Sequence, residues 1–237
     1  MSEYSKKIYP MECDYYRNFP PSAILRDALH HILEDIIRDG CDRKVILARC
    51  GAVWMISRMR FEQYAQLTAG DVVVFRTFPR VIENDRYIFY VEVYRGEELV
   101  IRFDTVFIPV NQKERKLMST AELEPLWKVP PREAVSKSLV RLNMEADFTP
   151  GGSAAVRFSD CDSNRHLTSP CYLSMICDEL KFWGEKENLM EFIQVDFASE
   201  VLPGTTLRFE TAERDGAKLI RGWKEDGKLA FSAMCRF

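Results

Sequence analysis

A short polar segment in the second half of the chain places an amide and an imidazole two residues apart. Asn164 and His166 follow the acidic entry Asp160-Cys161-Asp162 and precede an amphipathic stretch. A carbonyl attacked by water develops negative charge on its oxygen, which an Asn amide and the N–H groups of a helix start stabilise. An imidazole relays protons near neutral pH, and Asp162 is placed to orient the loop. These residue types favour acyl transfer to water.

Other polar residues offer competing chemistry. Cys161, Cys171 and Cys177 surround the segment, but one nearby histidine and the frequent use of cysteine as a small hydrophobe favour a structural role. His30 and His31 are adjacent on a predicted helix and therefore face different ways. Zinc-type spacing is absent from the sequence, so we expect no metal and no cofactor.

Two amphipathic helices are predicted, and the polar segment precedes the second. Apolar residues recur at helical spacing from Ile24 to Ile37, after Pro20-Pro21-Ser22 and before Gly40. In the second, Thr168 or Ser169 caps the start, and the apolar pattern runs from Tyr172 through Trp183 to Gly184. The broad apolar stripe of each predicts a helix lying against a sheet.

The strand-forming part of the chain occurs twice. Residues 61–77 align without a gap on residues 195–211, which places Gly70 opposite Gly204. The following turns also correspond: Glu83-Asn84-Asp85 with Arg214-Asp215-Gly216, and Gly96 to Val100 with Asp226 to Ala230. Short turns built on Gly, Asn and Asp predict an antiparallel meander in each copy. The pattern indicates a duplicated α+β module.

Only the second copy carries the amide and the imidazole at these loop positions. In the first copy the acidic entry Glu12-Cys13-Asp14 continues as Tyr15-Tyr16-Arg17-Asn18. Tyr16 stands where the second copy has Asn164, and Asn18 stands where it has His166. The two copies are therefore expected to differ in chemistry rather than in fold.

Composition excludes several classes of protein. With 237 residues, 46% hydrophobic and 29% charged, the chain buries a core, and its formal charge of -3 argues against a dedicated nucleic-acid binder. Seven cysteines without a Cys-x-x-Cys pair indicate a reduced protein. No apolar run is long enough to cross a bilayer, and the first residues do not form a leader. We expect a cytoplasmic, prokaryotic protein without membrane association.

The run Ser159 to His166, followed by Tyr172-Leu173, resembles the S-D-x-D-x-N-x-H motif of acyl-acyl carrier protein thioesterases. Further similarities lie in a Trp54-containing strand, a Gly70-Asp71 turn followed by Thr77, and Ser199-Glu200-Val201 at the family's catalytic Glu. The resemblance implies an α+β double hotdog: two repeats, each a central helix wrapped by a curved antiparallel sheet. It also implies release of free fatty acid from acyl carrier protein.

By this resemblance Asp162, Asn164, His166 and Glu200 form the catalytic site. The repeat alignment pairs Glu200 with Gln66, so the first copy lacks the carboxylate as well. We predict that Asn164 and a backbone N–H polarise the thioester while Glu200, helped by His166, activates water. The residue that accepts the proton is left open.

Two positions depart from the family pattern. Leu167-Thr168-Ser169 replaces the more usual Val-Asn-Asn, which puts in doubt a role for those amides in fixing the loop. Val201 replaces a cysteine of plant relatives, which excludes a cysteine nucleophile at that position.

The alignment divides the chain into a first, catalytically unequipped repeat (1–110), a linker (111–137) and a second, catalytic repeat (138–237). Three residues are most simply core, although the family's acyl tunnel makes them candidate acyl-binding residues: Leu25, Leu29 and Trp54. The linker region carries an excess of cations that either steers an acidic carrier protein or is simply solvated: Lys113, Arg115, Lys116, Lys128, Arg132, Lys137 and Arg141.

The expected function is a hydrolase of fatty acid biosynthesis that acts on acyl-acyl carrier protein. An acyl-CoA thioesterase and a non-catalytic acyl-binding hotdog protein are the alternatives. The expected partner is acyl carrier protein bearing a thioester-linked acyl chain, and the chain is expected to be a monomer or a homodimer. Acyl chain length depends on packing that the sequence does not define.

Overall fold

The first apolar stripe forms helix α1 (Pro21–Arg38) in a computed structural model that describes residues 1–133, 139–182 and 189–237. Its stripe is buried, with Ile24, Ala28 and Ile32 almost inaccessible to solvent. The helix ends two residues before Gly40, whose φ of 89° places it in the left-handed region. The Gly40 N–H donates to the Ile37 carbonyl and the Cys41 N–H to the Ile36 carbonyl, which is the Schellman arrangement.

A second helix, α2 (Arg43–Cys50), was not predicted because it has no apolar stripe and buries only Ile46. Its ends nevertheless follow capping rules. The Asp42 carboxylate accepts from the N–H groups of Lys44 at 2.7 Å and Val45 at 3.2 Å. Gly51 closes the helix in the left-handed conformation at φ 66°.

Helix α3 (Ser169–Glu179) follows the polar segment as expected, with Thr168 at its N-cap position and Pro170 in its first turn. It is shorter than predicted, because Lys181 takes a φ of 54° immediately after the last turn. Trp183 and Gly184, where the helix was predicted to end, lie outside the described residues.

The chain forms two compact units that do not follow chain order. The first comprises Met1–Lys7, Asp27–Arg60 and Val72–Val140; the second comprises Ile8–Arg26, Phe61–Asp71 and Arg141–Phe237. The predicted boundaries divide the chain by repeat rather than by contact. The boundary at 110/111 stays a prediction, and the boundary at 137/138 lies outside the described residues.

We call the strands of the first repeat the first sheet and those of the second repeat the second sheet. In the first sheet the strand order is β1-β3-β5-β6-β2, with β4 paired to β5. Its strands are β1 (Ser2–Lys7), β2 (Ala52–Gln63), β3 (Val72–Thr77), β4 (Val81–Glu83), β5 (Arg86–Arg95) and β6 (Glu98–Asn111). The pairs β1–β3, β3–β5 and β5–β6 are antiparallel, as the meander pattern predicts. Asn84 and Asp85 form the tight β4–β5 turn with φ values of 50° and 58°.

The second sheet has the order β8-β11-β10-β9-β7 and is antiparallel throughout. Its strands are β7 (Thr149–Ala155), β8 (Phe192–Phe197), β9 (Thr206–Arg214), β10 (Ala217–Trp223) and β11 (Leu229–Arg236). Asp215 and Gly216 form the β9–β10 turn, with φ values of 51° and 72°. Strand β7 was not predicted, since its sequence TPGGSAA is exposed and rich in small residues.

The registers of the two sheets correspond at their centres. Val93 pairs with Phe75 on one side and Ile101 on the other, and the register then shifts. Gly222 pairs in the same way with Phe209 and Phe231, and its ladder shifts at the same point. The structure therefore repeats at the level of single residues.

Candidate active site

The polar segment folds into a tight loop closed by its own backbone. The Asp162 N–H donates to the His166 carbonyl at 3.0 Å, and the Arg165 N–H donates to the Asp162 carbonyl at 2.9 Å. Arg165 adopts a φ of 67°, a conformation that residues other than glycine rarely take. The loop therefore holds Asn164 and His166 in fixed positions before α3.

Asp162 fixes the amide side chain. One of its carboxylate oxygens accepts from the Asn164 backbone N–H at 2.7 Å, and the other accepts from Asn164 Nδ2 at 3.3 Å. Both side chains are exposed. Because an amide NH₂ has two donors, Asn164 retains a second N–H for a ligand.

Glu200 reaches the loop from the segment between β8 and β9. The Leu167 N–H donates to the Val201 carbonyl at 2.8 Å, which joins the end of the loop to this segment. Glu200 Oε2 lies 3.3 Å from His166 Nε2, and each side chain is only about a quarter exposed. An imidazole and a carboxylate therefore form a close pair beside the amide.

Two further contacts hold the Glu200 segment. Lys224 Nζ donates to the Glu200 carbonyl at 3.2 Å, and Ser199 Oγ donates to the Leu229 carbonyl at 2.7 Å. Sequence reasoning missed Lys224, which lies in the β10–β11 turn without a motif around it.

Helix α3 begins directly after the loop. The Thr168 side chain makes no capping hydrogen bond, and the first N–H groups of a helix have no intrahelical acceptor. Tyr172 is buried, with its ring packed edge-on against Phe197 and Phe231. Burial, followed by the charges of Cys161 and Glu200, raises the pKa of the Tyr172 hydroxyl well above its usual value. The site is therefore backed by a neutral aromatic wall.

The neighbouring cysteines are poor nucleophiles. Burial raises the pKa of the Cys161 thiol, and the carboxylates of Asp160 and Asp162 raise it further. Burial and Asp160 raise the pKa of Cys171 in the same way, while Cys177 is almost inaccessible and its pKa lies well above the usual value. A thiolate is the reactive form of cysteine, so these environments work against the thiol alternative.

The first copy builds the same loop without the same side chains. The Asp14 N–H donates to the Asn18 carbonyl at 2.9 Å, the Arg17 N–H donates to the Asp14 carbonyl at 3.0 Å, and Arg17 has a φ of 71°. The Phe19 N–H donates to the Leu67 carbonyl at 2.7 Å, as Leu167 does to Val201. The hydrogen bonds thus align Asn18 with His166, in agreement with the sequence.

The structure thus brings together all four predicted catalytic residues, all within the second unit. The three candidate acyl-binding residues lie on other elements: Leu25 is fully buried on α1, and Leu29 is half-buried on the same helix. Trp54 lies in the first unit, where it packs against Tyr87 and Trp127 and donates from Nε1 to the Cys41 carbonyl at 2.9 Å. A role for these three in acyl binding stays a prediction.

Across residues 1–133, 139–182 and 189–237, no group of three His, Cys, Asp or Glu side chains is arranged to hold a metal ion. None of the helices within that part of the chain is both long enough and apolar enough to cross a membrane.

The second half of the chain is similar to a known protein family. Residues 151–230 match the family model "Acyl-ACP thioesterase C-terminal domain". No curated protein matches the chain significantly. The match includes the polar segment Ser159 to His166 and Glu200, the residues that carry the resemblance.

Solved structures match over the whole chain. An acyl-ACP thioesterase from Bacteroides thetaiotaomicron has a TM-score of 0.84 at 14% identity, covering 100% of this chain and 97% of its own. The 12:0-ACP thioesterase from Umbellularia californica has a TM-score of 0.79 at 17% identity, with coverage of 99% and 96%. A putative oleoyl thioesterase from Lactobacillus plantarum has a TM-score of 0.76 at 14% identity, with coverage of 99% and 95%. At these identities the similarity establishes the fold, and the expected α+β double hotdog is confirmed.

Proposed function

We propose that this chain, whose residues 151–230 belong to the acyl-ACP thioesterase C-terminal domain family, is a hydrolase that releases free fatty acid from acyl-acyl carrier protein. The observation that carries the proposal is the 3.3 Å contact between His166 Nε2 and Glu200 Oε2, on the side of a loop that also presents the Asn164 amide. These residues supply a proton acceptor and a hydrogen-bond donor to the oxyanion, and none of them needs to act as a nucleophile.

Water is the attacking group in this mechanism. Glu200 and His166 form the pair that accepts its proton, and an imidazole between a carboxylate and a reacting oxygen suits general base catalysis. The water oxygen bonds to the carbonyl carbon, the carbon–sulfur bond then breaks, and the departing thiolate receives the proton from the imidazole. The acid and the free thiol are the products.

Asn164 stabilises the charge that develops on the carbonyl oxygen. Its amide is held by the Asp162 carboxylate through one N–H, so the other is oriented before substrate arrives. The N-terminal N–H groups of α3 add partial positive charge at the same end of the loop. Removing one such donor typically reduces kcat by about 10²–10³-fold.

The family match supports acyl carrier protein bearing a thioester as the partner. We further propose that the enzyme is cytoplasmic and acts as a monomer or a homodimer. The degenerate first-copy loop supports a single catalytic site per chain, because Tyr16, Asn18 and Gln66 replace the amide, imidazole and carboxylate.

A thiol-release assay tests the proposal. Purified chain is given one acyl group on acyl carrier protein and on CoA, and release of free thiol is followed for wild type, Asn164→Ala and His166→Ala. We expect faster turnover of the carrier-protein substrate and a loss of kcat of about 10²-fold or more in both variants. Asn18→Ala, the matched change in the first copy, is expected to retain kcat within threefold. Binding of acyl chains without thiol release would reject the function.

A further inference from the structure

The rim of the catalytic loop carries two cations and two large apolar side chains. Arg157 and Phe158 lie at the start of the turn Phe158–Asp160, which precedes the loop. Arg165 lies in the loop, and Leu202 lies two residues after Glu200. We call this set the loop rim: Arg157, Phe158, Arg165 and Leu202. We propose that the loop rim is the docking surface for the acidic carrier protein, an inference that rests on the proposed function.

The two arginines are exposed, and the neighbouring carboxylates of Asp160 and Asp162 are engaged with N–H groups of the turn and loop. Within the residues that the structure describes, neither Arg157 nor Arg165 forms an ion pair with a carboxylate. Two exposed guanidinium groups without an ion-pair partner are available to pair with carboxylates on the surface of an approaching protein.

The apolar residues are exposed to a degree that folding alone does not explain. Phe158 is 89% exposed and Leu202 is 52% exposed. The backbone at Phe158 is fixed, because Asp160 accepts from the Arg157 N–H at 2.8 Å and the Cys161 N–H donates to the Phe158 carbonyl at 3.2 Å. An exposed aromatic side chain on a fixed backbone has few torsions to order on binding, which suits an interface anchor.

Backbone hydrogen bonds join these residues to the catalytic groups. The Val156 N–H donates to the Thr205 carbonyl at 2.9 Å, and the Leu167 N–H donates to the Val201 carbonyl at 2.8 Å. The segment that carries Glu200 and Leu202 is thus bonded to both ends of the loop. A partner seated on the loop rim lies beside Asn164, His166 and Glu200, where a tethered thioester must arrive.

The combination of charge and apolar area favours a protein partner. Two arginines beside an exposed aromatic residue complement a protein surface that has carboxylates next to an apolar patch. An acidic carrier protein supplies those carboxylates. CoA offers phosphates but no folded surface to cover Phe158 and Leu202.

Linker cations, the alternative docking surface, are partly engaged within the first unit. Lys116 lies 3.5 Å from Glu114, and Lys128 Nζ donates to the Arg38 carbonyl at 3.3 Å. The Arg132 guanidinium lies over the rings of Phe78 and Tyr90 at 4.5 Å and 4.7 Å. Lys137 lies outside the described residues. The loop rim, by contrast, carries its two exposed cations next to the catalytic loop.

Kinetics with carriers of different charge test the proposal. The variant Arg157→Glu/Arg165→Glu is compared with wild type on one acyl group attached to acyl carrier protein, to CoA and to the uncharged carrier N-acetylcysteamine. We expect KM for the carrier-protein substrate to rise about tenfold, with kcat within twofold, and KM for the other two substrates to change by less than twofold. Arg17→Glu, at the matched left-handed position of the first copy, is the control and is expected to behave as wild type.

A binding titration, taken with these kinetics, separates the failure of docking from the failure of the enzyme. Binding of fluorescent holo-acyl carrier protein is titrated without turnover, and we expect the double variant and Phe158→Ser each to weaken it about tenfold at 50 mM salt. Unchanged binding, or an equal rise of KM for acyl-CoA, overturns the docking surface. A wild type that binds the carrier protein but hydrolyses no thioester leaves docking intact and rejects only the proposed function.

Discussion

The two loops before α1 and α3 share the same backbone conformation but carry different side chains. Asp14 and Asp162 each close a turn onto the residue four positions later, and Arg17 and Arg165 each take a left-handed conformation within it. The carboxylates are used differently. Asp14 Oδ1 accepts from the N–H groups of Tyr16 at 2.9 Å and Asn18 at 2.8 Å, whereas Asp162 holds the backbone and side chain of Asn164.

The difference separates what the fold requires from what catalysis requires. Both copies keep the acidic residue and the hydrogen bond to the segment before the meander, so these belong to the fold. Only the second copy places an amide, an imidazole and a carboxylate on that frame. The following predictions test this separation.

Among the changes that act by positioning alone, the largest effect is expected from removing the Asp162 carboxylate. In Asp162→Ala the Asn164 amide loses its tether and no longer meets the developing oxyanion in a fixed position. We expect kcat to fall about 100-fold, which corresponds to about 2.7 kcal/mol, with KM within threefold. Steady-state kinetics on acyl-acyl carrier protein measure it. A rise in KM at constant kcat would show that Asp162 contributes to binding instead of to orientation.

A core exchange tests the residue-by-residue repeat. Val93 and Ile101 face each other in the first sheet, and Gly222 and Phe231 occupy the same register in the second. A Cβ on Gly222 would overlap the Phe231 ring, so Gly222→Val is expected to lower the free energy of unfolding by about 2 kcal/mol. Adding Phe231→Ile should restore most of this loss, because it recreates the first-copy pair. Urea unfolding measures it, and additive effects of the two changes would contradict the correspondence.

The first loop should respond in stability alone. Asp14→Ala removes the acceptor of two backbone N–H groups and is expected to cost about 1–2 kcal/mol in the free energy of unfolding. Because this loop carries no catalytic group, kcat should stay within threefold of wild type. A loss of kcat comparable to that of Asp162→Ala would place the first loop in the mechanism.

Much of this architecture was predictable from local patterns. Apolar periodicity located α1, and the turn residues Asn84 and Asp215 take the positive φ values that their types favour. What was missed lacked a periodic signal: α2 is defined by its caps at Asp42 and Gly51 and by little burial. The edge strand β7 is exposed and pairs through a bulge near Gly151, so neither alternation nor β-branched residues marked it.

The site was predictable because its residues are close in sequence and absent from the first copy. Asn164 and His166 share one loop, and Glu200 was found through the family resemblance and its alignment with Gln66. Lys224 and the exposed loop rim depend on hydrogen bonds between distant segments, which no sequence spacing revealed.

The smallest effect is expected at the cysteines. The raised pKa of Cys161 and Cys171 keeps both thiols protonated at pH values where free cysteine already forms thiolate. Cys161→Ser and Cys171→Ser should each retain kcat within twofold, and iodoacetamide labelling of these thiols should increase only at higher pH than for free cysteine. A large loss of kcat in either serine variant would restore the thiol mechanism.

A comparison of Glu200 with Gln66, its first-copy counterpart, tests whether only the second copy of the loop is catalytic. Turnover of acyl-acyl carrier protein is measured for Glu200→Gln, which keeps size and hydrogen bonding but removes the charge, and for Gln66→Ala. The account predicts a loss of kcat of about 100-fold or more in the first variant and less than threefold in the second. Full activity in Glu200→Gln, or an equal loss in Gln66→Ala, would contradict it.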